Sequence, residues 1–342
     1  MFTSQINMAE NFLTVKDLKV FFPLEGGWKK KDDRVVKAVD GISFNVKKGE
    51  ILAVVGESGC GKTTIGRAVV GLNKPTSGTI ELNGNEIYKL SSEEKKDFRK
   101  KLQMVFQDPY DSMNPRKTAF KMISEPLLLN KIVNKKELFD EVLRLLEIVG
   151  LSPSESYINR ARYQLSGGER QRLSIARSIS VKPELIVADE PVSALDISIR
   201  GQILSLIRGI QKEFNISFLF ISHDLSVVRS LSDRVIIVYL GKIAEEGTTE
   251  KVFKSAKHPY TIALLAAHPI PDPKLSRSRK RIILRGDVPS PIDPPKGCRF
   301  HTRCPISQQI CIDKEPEFIN FEGDHNVACH FAENAVSLMQ EV

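Results

Sequence analysis

The run Gly56-Glu-Ser-Gly-Cys-Gly-Lys62-Thr63 constrains this chain more than any other stretch. It matches G-x-x-x-x-G-K-[ST], and it sits where that pattern has meaning, after the apolar run 51–55 and before a helix-compatible stretch. Gly56, Gly59 and Gly61 let backbone N–H groups converge on phosphate oxygens. Lys62 adds a point charge, and Thr63 adds a hydroxyl that suits Mg²⁺. Ser58 and Thr64 complete the candidate nucleotide-binding set. Cys60 fills a position that the pattern leaves free and receives no redox role.

A strand–loop–helix of this kind needs a sheet around it, and the rest of the chain offers one. Short apolar runs at 51–55, 104–106, 185–188, 218–221 and 235–238 are separated by helix-like segments. That is the alternation of an α/β domain with a mostly parallel, fully buried sheet. The first 50 residues and residues 78–87 have a β texture instead, with a hairpin signal at Asn83-Gly84, and predict a small antiparallel subdomain. Residues 91–180 turn helical: Ser91 and Glu94 form a capping-box pattern, and Leu138, Val142, Leu145, Leu146 and Val149 line one helix face before Gly150. The ATPase-like part is expected over 1–250 and a different segment over 251–342. In that segment proline content rises, residues 276–285 carry five basic side chains, and the cysteines gather as a staple for a piece too short to hold its own core.

Composition narrows the functional classes. Of 342 residues 41% are hydrophobic and 27% charged, which suits a globular protein. No apolar run approaches the roughly 20 residues that span a bilayer, and residues 1–15 lack the basic and apolar regions of a signal peptide, so the chain is expected to stay in the compartment where it is made. The net charge of +8 suits an anionic partner without choosing one. Of five cysteines, Cys298, Cys304, Cys311 and Cys329 fall within the last 45 residues. Without an export signal such clustering reads as metal binding more readily than as disulfides.

Two further motifs carry chemistry. Leu185-Ile-Val-Ala-Asp189-Glu190 places Asp189 at the exposed end of a buried strand, where it can hold Mg²⁺ through water, and Glu190 where it can polarise an attacking water. Leu165-Ser166-Gly167-Gly168-Glu169 opens a helix with a hydroxyl and N–H groups turned outward, a second phosphate-binding terminus. One nucleotide has no use for two such cradles from one subunit. With these residues the chain resembles the ATPase subunits of ABC transporters, whose signature is LSGGQ or LSGGE. The resemblance implies a P-loop NTPase (RecA-like) core with an antiparallel β subdomain, a helical signature subdomain and a cysteine-bearing C-terminal extension. It also implies ATP and Mg²⁺, and a head-to-tail dimer with a second ATPase subunit, in which Ser166, Gly167 and Gly168 close on the partner's nucleotide. Gln107 then resembles the Q-loop glutamine that reaches Mg²⁺ and water, Asp196 in Ser193-Ala-Leu-Asp196 belongs to the D-loop, and His223 resembles the switch histidine at the γ-phosphate. Phe22, in preference to Phe21, resembles the aromatic that stacks on adenine.

Residues 107–116, QDPYDSMNPR, together with His258-Pro-Tyr-Thr-Ile-Ala-Leu-Leu265 and Gly297-Cys-Arg-Phe-His-Thr-Arg-Cys-Pro305, resemble the dipeptide and oligopeptide importer branch. Arg162-Tyr-Gln164 departs from that branch's usual Pro-His pair. The branch implies two separate membrane-spanning permease subunits, an extracytoplasmic peptide-binding protein, a location at the cytoplasmic face of the cell membrane, and no nucleic-acid partner. A nickel or other metal importer of the same branch, and an ABC ATPase acting on nucleic acid or ribosomes, are the rival functions. The cysteine spacings, with five, six and seventeen residues between successive members, fit neither common zinc pairs nor the ferredoxin run. Zn²⁺, with His301, His325 or His330 as substitute ligands, and an iron–sulfur centre are both compatible with the donors. The branch's extension implies a 4Fe-4S cluster on Cys298, Cys304, Cys311 and Cys329.

Overall fold

The computed structural model describes residues 11–24, 34–267, 284, 286–321 and 323–341. Most of residues 25–34, which follow Phe22, and most of the basic stretch at 276–285 lie outside them. In chain order the elements are β1 (Asn11–Pro23), β2 (Val35–Lys47), β3 (Ile51–Val55), α1 (Lys62–Val69), β4 (Ser77–Leu82), β5 (Asn85–Glu86), α2 (Ser92–Lys101), β6 (Leu102–Val105), α3 (Pro109–Ser112), α4 (Ala119–Leu129) and α5 (Leu138–Ile148). They continue with α6 (Gly167–Ile179), β7 (Leu185–Asp189), α7 (Ile197–Phe214), β8 (Ser217–Ser222), α8 (Leu225–Leu231), β9 (Arg234–Tyr239), β10 (Lys242–Thr248), α9 (Thr249–Lys254) and α10 (Pro259–Ala267). The last are α11 (Gln309–Asp313), β11 (Ile319–Phe321), β12 (His325–Val327) and α12 (Ala335–Glu341). Among the described residues, no helix is long and apolar enough to cross a membrane.

The chain divides into two compact units. The signature unit takes Met1–Phe12, Val46–Ile51 and Asn85–Ile221; the phosphate-loop unit takes Leu13–Asn45, Leu52–Gly84 and Ser222–Val342.

In the signature unit β6, β7 and β8 run parallel, with Leu102 opposite Leu185 and Asp189 opposite Ile221. Every residue of β7 and β8 is buried, which is why neither alternates in sequence. The capping box at α2 forms as its sequence dictates: Ser91 N–H donates to Glu94 Oε2 at 2.8 Å, and Glu94 N–H donates back to Ser91 Oγ at 3.3 Å. On α5, Val142, Leu145 and Leu146 are buried, and the chain leaves the helix through Gly150 at φ +70°.

In the phosphate-loop unit β1 lies between β2 and β4 and pairs with β4 antiparallel, the small sheet expected from the early β texture. The turn after β4 has Asn83 at φ +49° and Gly84 at φ +78°, the pair of left-handed residues that the Asn-Gly signal asks for. A second sheet runs β3, β9, β10, β12, β11, parallel at β3/β9 and antiparallel thereafter. The C-terminal segment thus extends this unit rather than standing apart. Tyr260 and Phe300 are fully buried in one core with Ala53, Val55, Val235 and Ile237. Tyr239, Tyr260 and Phe300 form an aromatic cluster with ring centroids 4.7 to 5.3 Å apart, each pair contributing about 0.5–1.5 kcal/mol beyond area burial. The segment does not lack a core: Tyr260 and Phe300 pack against Tyr239 of β9, with Cys298 and Cys304 beside them.

Candidate active site

In the phosphate loop the chain leaves buried β3, turns through Gly59 at φ +79° and Gly61 at φ +101°, and enters α1 at Lys62. Gly61 has a second constraint, since a Cβ there would lie 2.1 Å from the Ala38 carbonyl oxygen. Gly59 faces open space, and Ser58 beside it is exposed. Lys62 is 6% exposed, and its ammonium donates to the carbonyls of Gly56 (2.8 Å) and Glu57 (2.9 Å). Thr63 and Thr64 follow half-buried in the first turn of α1. The helix N-terminus and the glycine-lined loop together form an anion cradle. Cys60 is buried, and burial raises its thiol above the ordinary value, so it stays a neutral packing group.

The same unit carries two other expected residues. Phe22 is 39% exposed near the end of β1, whereas Phe21 is half-buried and its N–H donates to Thr76 Oγ1 at 2.9 Å. Of the pair, Phe22 offers the freer ring face. His223 is exposed in the turn before α8, flanked by the Asp224 cap, which accepts from Ser226 N–H at 2.9 Å.

In the signature unit, β7 delivers Asp189 and Glu190. Asp189 is 2% exposed. Its backbone is at the strand end, as the sequence implies, but its carboxylate is withdrawn from solvent rather than displayed to it. Glu190 is at φ +44°, a conformation that costs a non-glycine residue on the order of 1–3 kcal/mol and collects at functional sites. Neighbours enforce it: Glu190 N–H donates to the Ile221 carbonyl at 2.9 Å, and Ser193 Oγ donates to the Glu190 carbonyl at 3.1 Å. Gln107, exposed just after β6, donates its side-chain amide to Glu190 Oε2 at 3.1 Å. Two residues 83 apart in sequence are thereby joined at the carboxylate chosen as the water activator. Asp196 is exposed at the entrance of α7, where its carbonyl accepts from Arg200 N–H at 2.8 Å.

The signature helix α6 starts with Ser166 as its cap. Ser166 Oγ accepts from Glu169 N–H at 3.3 Å, and Ser166 N–H donates to Glu169 Oε2 at 2.7 Å. The hydroxyl expected to point freely outward is therefore engaged in a capping box. Glu169 is partly buried, which opposes its ionisation, but the Ser166 N–H and hydroxyl and the Tyr157 hydroxyl outweigh burial and hold its carboxyl below the usual range. Gly168 also has a packing reason, because a Cβ there would lie 2.6 Å from Ile199 Cγ2.

Arg162 has a role that the sequence motifs do not assign. Its guanidinium donates to the carbonyls of Tyr110 and Met113, the latter at 2.8 Å, while Arg170 stacks over the Tyr110 ring at 4.1 Å. Arg177 donates to the Ser112 carbonyl at 2.6 Å. Three arginines from the signature segment thus hold the stretch after Gln107. The only signal was Arg162 standing where the importer branch usually has Pro-His.

The four late cysteines are free thiols that line one cavity together with His301 and His330. Gly297, at φ +63°, makes the approach possible: a Cβ there would lie 2.4 Å from the Cys311 carbonyl oxygen. Burial pushes the Cys298 thiol up to about 11 and those of Cys304 and Cys329 to about 12. Four thiols, Cys311 buried and the other three half-buried, are a donor set for a soft metal centre. Even so, among the described residues no group of three Cys, His, Asp or Glu stands close enough to hold a metal ion, so the 4Fe-4S reading is not supported at ligand geometry. His325 leaves the candidate ligands, since its Nε2 pairs with the buried Glu245 carboxylate at 2.7 Å.

Comparison with known proteins agrees with this layout. The family model for ABC transporters matches residues 39–193, and that for the oligopeptide/dipeptide transporter C-terminal region matches residues 244–311. The oligopeptide transport ATP-binding protein AppF of Bacillus subtilis is 49% identical over 94% of this chain and 97% of its own. The dipeptide transport ATP-binding protein DppF of Haemophilus influenzae is 44% identical over 96% and 98%. Among solved structures, the ATP-binding cassette MJ0796, as a dimer in a post-hydrolysis state bound to ADP and Pi, superposes with a TM-score of 0.61 at 26% identity. The match covers 69% of this chain and 98% of that one. With a phosphate loop, a glutamine-held Glu190 and a capped signature helix built on that fold, the chain belongs to the ABC transporter ATP-binding proteins, in their oligopeptide/dipeptide branch.

Proposed function

We propose that this chain hydrolyses ATP to power the import of di- or oligopeptides through separate membrane-spanning subunits, working at the cytoplasmic face of the membrane. The observation that carries the peptide reading is identity of 43–49% over nearly the whole chain, C-terminal extension included, to ATP-binding proteins named for oligopeptide and dipeptide transport. The dimeric MJ0796 cassettes support pairing; the partner here is a second ATPase subunit, in the head-to-tail arrangement that the family resemblance implies. An extracytoplasmic binding protein selects the peptide.

The roles are those that the family resemblance implies for each group. Phe22 stacks on the adenine. The N–H groups of residues 56–64, with Ser58 among them, cradle the phosphates, and Lys62 moves its ammonium from loop carbonyls to the β- and γ-phosphates. Thr63, Asp189 and Gln107 would hold Mg²⁺, which would neutralise charge on the phosphate oxygens. Glu190 accepts the proton of the attacking water, with Gln107 orienting its carboxylate and His223 contacting the γ-phosphate. Ser166, Gly167 and Gly168 serve the nucleotide of the partner subunit, and Asp196 joins that interface. The shared cavity supports Cys298, Cys304, Cys311 and Cys329 as the ligand set of a 4Fe-4S cluster that takes no part in hydrolysis, and the thiols would have to draw closer than they stand among the described residues to hold it. The function is tested by peptide uptake in cells lacking this chain: uptake returns with the wild-type chain and not with Glu190→Gln. Unchanged peptide uptake in its absence, with loss of nickel uptake instead, would overturn the assignment.

A further inference from the structure

The phosphate loop is gripped by residues that none of the nucleotide motifs contains. From the β9–β10 turn, Gly241 N–H donates to the Cys60 carbonyl at 3.0 Å. From α10, Tyr260, with no exposed surface, accepts the Glu57 N–H on its phenol oxygen at 3.0 Å. From the segment between Cys298 and Cys304, Arg303 donates from Nη1 to Glu57 Oε2 at 2.8 Å, with side-chain exposures of 10% and 27%. Two separate parts of the C-terminal extension therefore converge on one loop residue, holding its backbone and its side chain.

Glu57 occupies a position that the G-x-x-x-x-G-K-[ST] pattern leaves open, so phosphate binding itself does not ask for a carboxylate there. An unpaired carboxylate beside a polyanion site opposes binding, and Arg303 both neutralises it and fixes where it lies. Tyr260 takes up the Glu57 N–H, and Lys62 holds the Glu57 carbonyl from the other side at 2.9 Å. All three polar groups of this residue are thus committed within the unit. A loop held in its binding shape avoids the loss of apparent affinity that comes when only a fraction of molecules is competent.

We propose that Tyr260 and Arg303 are positioning residues for the phosphate loop: they clamp Glu57 and keep the loop in the conformation that receives the nucleotide phosphates. The extension is then part of the nucleotide-binding apparatus without touching nucleotide. The inference rests on residues 56–63 binding nucleotide, which the wild-type control checks on its own.

The test is equilibrium binding of a fluorescent ATP analogue with Mg²⁺ to the full chain, with thermal unfolding measured in parallel. Arg303→Ala is expected to weaken binding about tenfold, and Tyr260→Phe, which keeps the ring in its core, about threefold, as the competent fraction falls. Arg303→Lys, which keeps the charge, should recover most of the loss. In a Glu57→Gln background Arg303→Ala should add little, because the partner is already gone. Wild-type affinity in both Tyr260→Phe and Arg303→Ala, or a lowered melting temperature with unchanged affinity, would overturn the proposal. So would Arg303 and Glu57 losses that multiply in the double variant. Should Arg303→Ala not fold, Tyr260→Phe and Glu57→Gln decide alone. A wild-type chain that binds no nucleotide would instead sink the phosphate-loop assignment.

Discussion

His258 is a buried titratable group whose effect on stability has a calculable size and sign. It stands at the entrance of α10, where its Nδ1 accepts the Tyr260 N–H at 3.0 Å and its ring lies 5.8 Å from that of Phe300. Burial pulls its imidazole from 6.5 down to about 4, against the opposing influence of the nearby Glu245 carboxylate. Because the folded value lies below the unfolded one, the folded chain binds fewer protons in the interval between them. The histidine's contribution is therefore complete above pH 6.5 and is lost as pH falls towards 4. A gap of about 2.5 pH units corresponds to a loss of about 3 kcal/mol at its limit and about 2 kcal/mol at pH 5. The assay is urea unfolding at pH 7 and pH 5 of the wild type and of His258→Asn, whose amide oxygen can replace Nδ1 as the acceptor for Tyr260. The variant is less stable at pH 7, but the wild type should lose about 2 kcal/mol more than the variant on going to pH 5. Parallel losses would refute a neutral buried imidazole.

Glu190→Gln is expected to keep MgATP binding while turnover falls by about 10²–10⁴-fold; steady-state hydrolysis near the wild-type rate would refute its role. Lys62→Ala should instead weaken MgATP binding itself, read by equilibrium titration, because it removes a phosphate-directed charge. Arg116 has an exposed side chain and a backbone N–H that donates to Asn114 Oδ1 at 2.9 Å, so Arg116→Glu should leave folding and basal hydrolysis intact while lowering peptide uptake. Arg162→Ala removes the side-chain donor to the Tyr110 and Met113 carbonyls and should lower the unfolding free energy by about 1–2 kcal/mol. Anaerobically purified wild type should carry about four iron and four sulfide per chain, and Cys311→Ser with unchanged iron content would remove Cys311 from the ligand set.

Local motifs were legible because their physics is local. The glycine pattern at 56–63, the acids after four apolar residues at 185–188, and the Ser91 and Ser166 caps each specify backbone geometry within a few residues, and each forms where the sequence places it. What stayed hidden depends on residues far apart in the chain. Nothing within 107–116 announces three arginines from 162–177, and nothing in His258-Pro-Tyr260 announces a bond to residue 57. The exposed-strand-end reading of Asp189 failed for the same reason: burial of a strand end is decided by what other segments lay over it.

The glycines of the two phosphate motifs show why motif identity and ligand chemistry are not the same evidence. A side chain at Gly61 would meet the Ala38 carbonyl oxygen at 2.1 Å and one at Gly168 would meet Ile199 at 2.6 Å, whether or not a phosphate ever arrives. Gly59 differs, since nothing in the chain lies within 4 Å of its would-be Cβ and only its φ of +79° asks for glycine. Loss of activity on substituting Gly61 or Gly168 therefore does not separate misfolding from a role in phosphate binding. Gly59→Asn introduces the L residue that best tolerates a left-handed backbone and places its Cβ in that open space. If that chain keeps its wild-type melting temperature but loses nucleotide affinity, the glycine there serves the ligand; if it binds normally, the open space above Gly59 is not the phosphate site.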